Sequence, residues 1–247
     1  MKTTKEKIKK MPESYKGDQI KVKNTIGRQW TVKEFEWVRN MINKNFTDDE
    51  IALSIDRTIS SAAYGIKIIK KQDNVYNKSH LNEKYDTNMK FIERIEPKSV
   101  LDLYCGPKNF YKGKVKNVTS NDKNKLIEAT YNMDAHKCIC YLYSQNKKYD
   151  LIDLDPYGNS YDCFDLAIKM AKKGLIITFG EMYCKRWKND KFIKRYYNLS
   201  LEDFTIDNVI EHVQMIAKRN NKILDPIYIG KWKNINRVWF EIEDMSK

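Results

Sequence analysis

The side chains that most often hold metals are scarce and poorly spaced: 247 residues contain five cysteines and three histidines. No CxxC occurs, Cys138 and Cys140 form only a CxC pair, and the histidines are scattered, so no structural metal site is expected. An odd number of cysteines without paired spacing also argues against a disulfide framework, and reduced thiols in a cytoplasmic protein are the expectation. No stretch approaches the roughly 20 apolar residues of a membrane-spanning helix. The basic N-terminal stretch leads into no apolar signal core, and no internal repeat is found.

What is present narrows the class further. Apolar residues make up 41% of the chain, enough for a real core, and 32% is charged. Lys and Arg number 46 against 33 Asp and Glu, a net charge of +13. With no membrane signal, that balance favours nucleic acid as the polyanionic partner. The length suits one large domain or two small ones.

The pattern along the chain divides it into four parts. Residues 1–25 are polar and Lys-rich, and read as a flexible basic arm. Residues 26–72 read as three short helices. Thr31 with Glu34, and Thr47 with Glu50, are capping-box pairs that open the first two. A turn at Asp56 and Arg57 precedes a third helix, with Ala62, Ala63, Ile66 and Ile69 facing inward. Residues 73–95 lack a sustained apolar period and read as a linker, with a short helix over 88–95. From 96 to 247 apolar strands alternate with helices, the pattern of a doubly wound parallel sheet. Strands are expected at 99–105, 115–119, 149–155 and 174–180, helices at 124–133, 160–172 and 205–218, and a hairpin from strands at 227–232 and 237–242.

The run Trp30-Thr31, Phe46-Thr47-Asp48-Asp49-Glu50-Ile51-Ala52, Asp56-Arg57-Thr58 and Ala62 resembles Myb-like helix-turn-helix domains. The resemblance implies that 57–71 faces a DNA major groove. That segment carries Arg57, Thr58, Ser60, Ser61, Tyr64, Lys67, Lys70 and Lys71 and no acid. Cations suit phosphates, and short polar side chains and Tyr suit base edges.

Ligands of open α/β sheets bind outside the carboxyl ends of the strands. Acids stand at those ends here: Asp102 in Asp102-Leu-Tyr-Cys-Gly106, Asp122 after Asn121, Asp134 before Ala135, and Asp153 and Asp155 in Asp153-Leu-Asp-Pro-Tyr-Gly158. Gathered acids suit ribose hydroxyls, an amine and a cationic centre, and fit a pyrophosphate poorly.

These four motifs look like those of class I S-adenosylmethionine-dependent methyltransferases with a Rossmann-like α/β sheet. The nearest likeness is to the tRNA guanine-N2 dimethyltransferase family, and the Asp-Pro-aromatic run is also related to a motif of DNA amino-methyltransferases. The resemblance implies S-adenosylmethionine as cofactor. It assigns cofactor contacts to Asp102, Tyr104, Gly106, Asp122, Asp134, Ala135 and Asp155. Asp122 would take the ribose hydroxyls, and Asp134 with Ala135 the adenine. It assigns the chemistry to Asp155 and the Pro156 carbonyl, which orient a base amino group, and to Tyr157, which stacks on the base. Lys108 departs from the pattern, standing where a second glycine is usual.

The segment 183–197 interleaves cations with aromatics. Lys185, Arg186, Trp187 and Lys188 are expected to hold a strand with bases turned out. The expectation is therefore a methyltransferase acting on DNA, at adenine N6, by base flipping. Two alternatives stay open: a tRNA or other RNA guanine-N2 methyltransferase, and a non-catalytic DNA-binding regulator on the same fold.

Overall fold

The computed structural model describes residues 10–11, 19–20, 30–75, 80–182, 184, 190–232 and 235–245, with the backbone alone at 19–20 and 71–75. Two compact units result: residues 1–78 with 125–128, and residues 79–124 with 129–247.

In the first unit β1 (Gln19–Ile20) pairs antiparallel with β2 (Trp30–Thr31). Three helices follow: α1 (Val32–Asn43), α2 (Asp48–Ser54) and α3 (Ile59–Val75). Both expected capping boxes form. The Thr31 hydroxyl accepts from the Glu34 amide while the Glu34 carboxylate accepts from the Thr31 amide, and Thr47 with Glu50 does the same. These reciprocal bonds satisfy helix amides that would otherwise lack partners. Inside lie Trp30, Phe35, Val38, Ile51, Ala62, Ile66 and Ile69, joined by Leu126 from residues 125–128. Gly65 is dictated by this core, because a Cβ there would meet the Trp30 ring at 2.4 Å. The flexible-arm expectation is corrected at Met11. Its side chain is buried in this core and its amide donates to the Ser54 carbonyl at 2.9 Å, since an apolar side chain gains more from burial than the chain loses by ordering there.

The second unit is a six-stranded sheet. Its strands are β3 (Ser99–Asp102), β4 (Asn117–Ser120), β5 (Tyr149–Leu154), β6 (Ala171–Phe179), β7 (Lys222–Trp232) and β8 (Ile235–Asp244), in the order β4-β3-β5-β6-β8-β7. The first four in that order run parallel, and β8 is antiparallel to both neighbours. Side chains alternate across the sheet. Leu101, Ile152, Leu154, Leu175, Ile177 and Phe240 share one core with α5 (Ala135–Ser144), α6 (Phe164–Met170) and α8 (Ile206–Arg219). Val100, Leu151, Ile176 and Trp239 share the other with Phe91 and Ile95 of α4 (Leu81–Ile95). Gly174 permits that packing, as a Cβ there would lie 2.7 Å from Ile95 and 2.9 Å from Phe91. The stretch expected as a linker thus supplies a docked helix, longer than the expected 88–95. An amphipathic stripe at Asn88, Phe91 and Ile95 was legible, whereas its polar first half gave no period.

Two further expectations differ. The helix expected over 124–133 is an irregular segment instead. Thr130 exchanges bonds with Ser120, Asn132 donates to the Asp122 and Asn124 carbonyls, and Asn121 bridges Leu103 to Met133. Such short polar side chains compete with a helix for backbone partners. The expected helix 160–172 ends at Met170, and β6 starts at Ala171, before the expected Gly174. No helix among the described residues is long and apolar enough to cross a membrane.

Candidate active site

Backbone bonds lace the carboxyl ends of β3, β4 and β5 together. The Leu103 amide donates to the Asp153 carbonyl at 3.1 Å, the Asn121 amide to the Asp102 carbonyl at 2.8 Å, and the Cys105 amide to the Asn121 carbonyl at 3.0 Å. Acids that lie up to 53 residues apart in sequence therefore come to one rim.

At its centre stands a residue the sequence reading missed. Arg237, on β8, is completely buried. Its guanidinium donates to Asp153 at 2.6 Å, to the Thr178 hydroxyl, and to Asn88 at 3.3 Å, and lies 3.2 Å from Asp155 Oδ1. Asp153 also accepts from the Tyr111 hydroxyl at 2.6 Å. A buried cation of this kind is stable only because it is paired and hydrogen-bonded. An arginine in a strand near the end of the pattern carries no local signal, which is why it was overlooked.

Asp155 is the most accessible acid of this cluster, its side chain 26% exposed. Oδ1 accepts from Thr178 at 2.7 Å and Oδ2 from Lys84 Nζ at 2.6 Å. Lys84 comes from α4 and was also missed. Burial alone pushes the Asp155 carboxyl up, but Lys84 and then Arg237 override it and hold the group well below the usual carboxylate range. Asp102 goes the other way: burial, with Asp153 and Asp155 alongside, pushes it well above that range. Burial also pushes Asp153 up, against the pull of Arg237. Asp153 Oδ2 is thus spent on internal bonds, while Asp155 stays charged and open.

The expected cofactor residues fall as follows. Gly106 has a left-handed φ of 57°, and its amide donates to Asp122 Oδ2 at 3.0 Å. Asp122 Oδ1 accepts from the Asn124 amide at 2.7 Å, and burial raises this carboxyl. Asp134 caps α5, accepting from the Lys137 amide at 3.3 Å, and is itself exposed; Ala135 opens that helix and is buried. The Tyr104 hydroxyl meets Cys163 Sγ at 3.9 Å, and burial raises this phenol. Lys108 is exposed with its Nζ 5.4 Å from the centroid of the Tyr85 ring, which itself stacks on Phe110 at 4.7 Å. Pro156 is buried, whereas the Tyr157 ring is 85% exposed. Gly180, at the end of β6, is where the loop crowds in: a Cβ there would lie 2.4 Å from the Gly158 carbonyl oxygen.

In the helical unit Arg57 is a correction. Its guanidinium donates to both Glu34 oxygens, at 3.1 and 3.0 Å, and covers the Trp30 ring at 4.2 Å, leaving 5% of the side chain exposed. A bidentate partner and an aromatic face outcompete a nucleic-acid role. Thr58, Ser60, Tyr64, Lys67 and Lys70 are exposed and Ser61 half-buried. The Lys71 side chain and Lys185, Arg186, Trp187 and Lys188 lie outside the described residues. Just beyond them, α7 (Asp190–Tyr197) buries Ile193 and Tyr197 and leaves Lys191, Lys194 and Arg195 exposed.

Four parallel strands, an antiparallel strand added beyond them, and acids along the carboxyl rim define a Rossmann-like class I methyltransferase fold. Within that class, residues 108–246 match the N2,N2-dimethylguanosine tRNA methyltransferase family, and the chain belongs to it. An uncharacterized protein of Methanocaldococcus jannaschii is 29% identical over 163 residues, covering 62% of this chain and 50% of the relative. Among solved structures, Trm1 from Pyrococcus horikoshii, in complex with S-adenosyl-L-methionine, superposes with a TM-score of 0.56 at 14% identity, over 69% of this chain and 57% of that one. The chain thus spans about half the length of the relatives it matches.

Proposed function

We propose that the protein transfers methyl groups from S-adenosylmethionine to the exocyclic N2 of guanine in tRNA. The observation that carries this reading is the family match over 108–246, which takes in Asp122, Asp134, the Asp155-Pro156-Tyr157 run, Thr178 and Arg237. It favours the RNA alternative over the DNA adenine N6 expected from the motifs and the helix-turn-helix order.

The donor set fits the cofactor. Acids at the rim suit a cationic ligand with ribose hydroxyls, and Gly106 in the left-handed region lets the backbone come close. Asn109 adds an acceptor: its φ is 40°, and among the described residues its buried Oδ1 has no hydrogen-bond partner. Asp122 would hold the ribose, Asp134 and Ala135 the adenine, and Asp102, Tyr104 and Asn109 the methionine end. The cofactor supplies an electrophilic methyl on a sulfonium.

The chain's own residues do the rest by orientation. A base amino group offers two hydrogens, and the Asp155 carboxylate and Pro156 carbonyl are two acceptors in consecutive residues. Accepting both fixes the nitrogen and directs its electron pair. The exposed Tyr157 ring provides a stacking surface, worth roughly 1–3 kcal/mol per base. Because Asp155 is ionised across the neutral range, it is ready to accept without first losing a proton. The three-helix unit serves as a nucleic-acid-binding element through Thr58, Ser60, Tyr64, Lys67 and Lys70, with phosphate contacts that weaken as salt rises.

Incubating the protein with labelled S-adenosylmethionine and either tRNA or duplex DNA, then digesting to nucleosides, tests the reading. N2-methylguanosine or N2,N2-dimethylguanosine from tRNA is expected. Label confined to N6-methyladenine in DNA would replace this reading with the other.

A further inference from the structure

We propose that Lys84 is a positioning residue of methyl transfer: from α4, outside every motif, its ammonium orients the Asp155 carboxylate toward the target amine. This rests on the reading above and names a residue that lies before the matched span of 108–246.

The geometry at Asp155 is unequal on its two oxygens. Oδ1 is served from the sheet, by the Thr178 hydroxyl at 2.7 Å and Arg237 at 3.2 Å. A carboxylate oxygen has two lone-pair sites; on Oδ1 the Thr178 hydroxyl takes one, and Arg237 lies against that oxygen as an ion pair. Oδ2 accepts from Lys84 at 2.6 Å, which leaves it one site. Lys84 thus decides in which direction the remaining acceptor points.

Lys84 is held to this task. Its side chain is 19% exposed, far below that of a surface lysine. On one side Glu83 accepts from the Trp232 indole at 2.9 Å, and on the other Tyr85 stacks on Phe110. One turn on, Asn88 accepts from the Trp239 indole at 2.8 Å and from Arg237. Side chains before, after and one turn beyond Lys84 therefore fix the helix that carries it.

Charge gives Lys84 a second consequence. Asp155 faces Arg237 from β8, Asp153 from its own strand, Asp102 from β3, and Lys84 and Tyr85 from α4. Two cations thus serve three carboxyls. Without Lys84, Arg237 alone remains among the described residues that face Asp155, and Asp155 takes up a proton more readily. A protonated Asp155 loses acceptor capacity and stops orienting the amine.

The test uses the full chain. Lys84→Met keeps the aliphatic stem and removes the charge; Lys84→Gln takes its place if circular dichroism shows the Met variant unfolded. Single-turnover methylation of tRNA is followed at pH 7 alongside calorimetry of S-adenosylmethionine binding. The expected result is a rate lowered roughly tenfold or more at pH 7 with little change in cofactor affinity. Lys84→Arg should recover most of the rate. A folded, charge-neutral variant with the wild-type rate overturns the proposal, and so does a faster one, which would make Lys84 an obstacle to the amine. A substrate-free measurement separates this from the function itself. The Asp155 carboxyl carbon, followed by NMR, should titrate higher in Lys84→Met than in the wild type. If it does while the wild type methylates no tRNA, the assigned substrate has failed and the hold of Lys84 on Asp155 stands. If it does not move, the proposal falls.

Discussion

At the scale of single residues, carboxyls of the second unit separate by environment. Asp155 has cations and stays charged, Asp102 is pushed toward its neutral form, and Glu181, just beyond β6, is buried with the Tyr197 hydroxyl donating to it. Burial pushes Glu181 up to about 7, partly opposed by that bond. The sign of its effect on stability follows from linkage. Below pH 4.5 folded and unfolded chains both hold the proton, and no stability is lost. As the pH rises to about 7 the unfolded chain ionises first, which costs the fold on the order of 3 kcal/mol by pH 8. Glu181→Gln keeps an acceptor for Tyr197 and cannot ionise. Urea unfolding should therefore find it more stable than the wild type at pH 8 and about equal at pH 4.5. An equal difference at both pH values would mean that Glu181 does not titrate in this way. Rim acids such as Asp102, Asp122 and Asp155 were legible in the sequence because they end strands. Their states were not, because Lys84 and Arg237 approach from 71 and 84 residues away.

At the scale of elements, what could be read early was what is set locally. The capping boxes of α1 and α2 are four-residue patterns, and both formed. The strand β5 matches its expected span to within one residue, whereas β3 ends at Asp102, short of the expected 105, and β6 starts three residues early. The segment 124–133 was misread because its bonding depends on Ser120 and Asn121, residues outside it. Arg57 was misread for the same reason: nothing near it in sequence shows that Glu34, 23 residues earlier, takes its guanidinium. The close fit of α3 on Trp30 makes a prediction at this scale. Ala is the better helix former by about 1 kcal/mol, yet at position 65 its methyl would stand 2.4 and 2.5 Å from two Trp30 ring atoms. Overpacking of this kind costs roughly 1–3 kcal/mol. Gly65→Ala should thus lower the stability of the helical unit, seen as earlier loss of Trp fluorescence in denaturant. An unchanged or later transition would show that Trp30 moves freely out of the way.

For the whole molecule, cofactor binding and proton binding should be coupled. Asp102 favours its neutral form because burial and two neighbouring carboxyls disfavour a further charge. A cationic ligand beside it reverses that preference, so S-adenosylmethionine should release a proton on binding. Calorimetry in buffers of different ionisation enthalpy measures the release directly. The wild type should show it and Asp102→Asn should not; equal uptake or release in both would detach Asp102 from the cofactor.

The route by which Arg237 reaches its acids also bears on how the molecule is made. β8 pairs with β6 and with β7, so it enters the sheet between strands translated before it. While a ribosome is still adding residues, Asp153 and Asp155 are already present, and their buried counter-charge emerges 84 residues after Asp153. Among the described residues, a sheet of β3 to β6 without β8 would have Lys84 as the counter-charge at these acids. The ion pairs of that rim are therefore completed only when β8 docks, after β7 has been made.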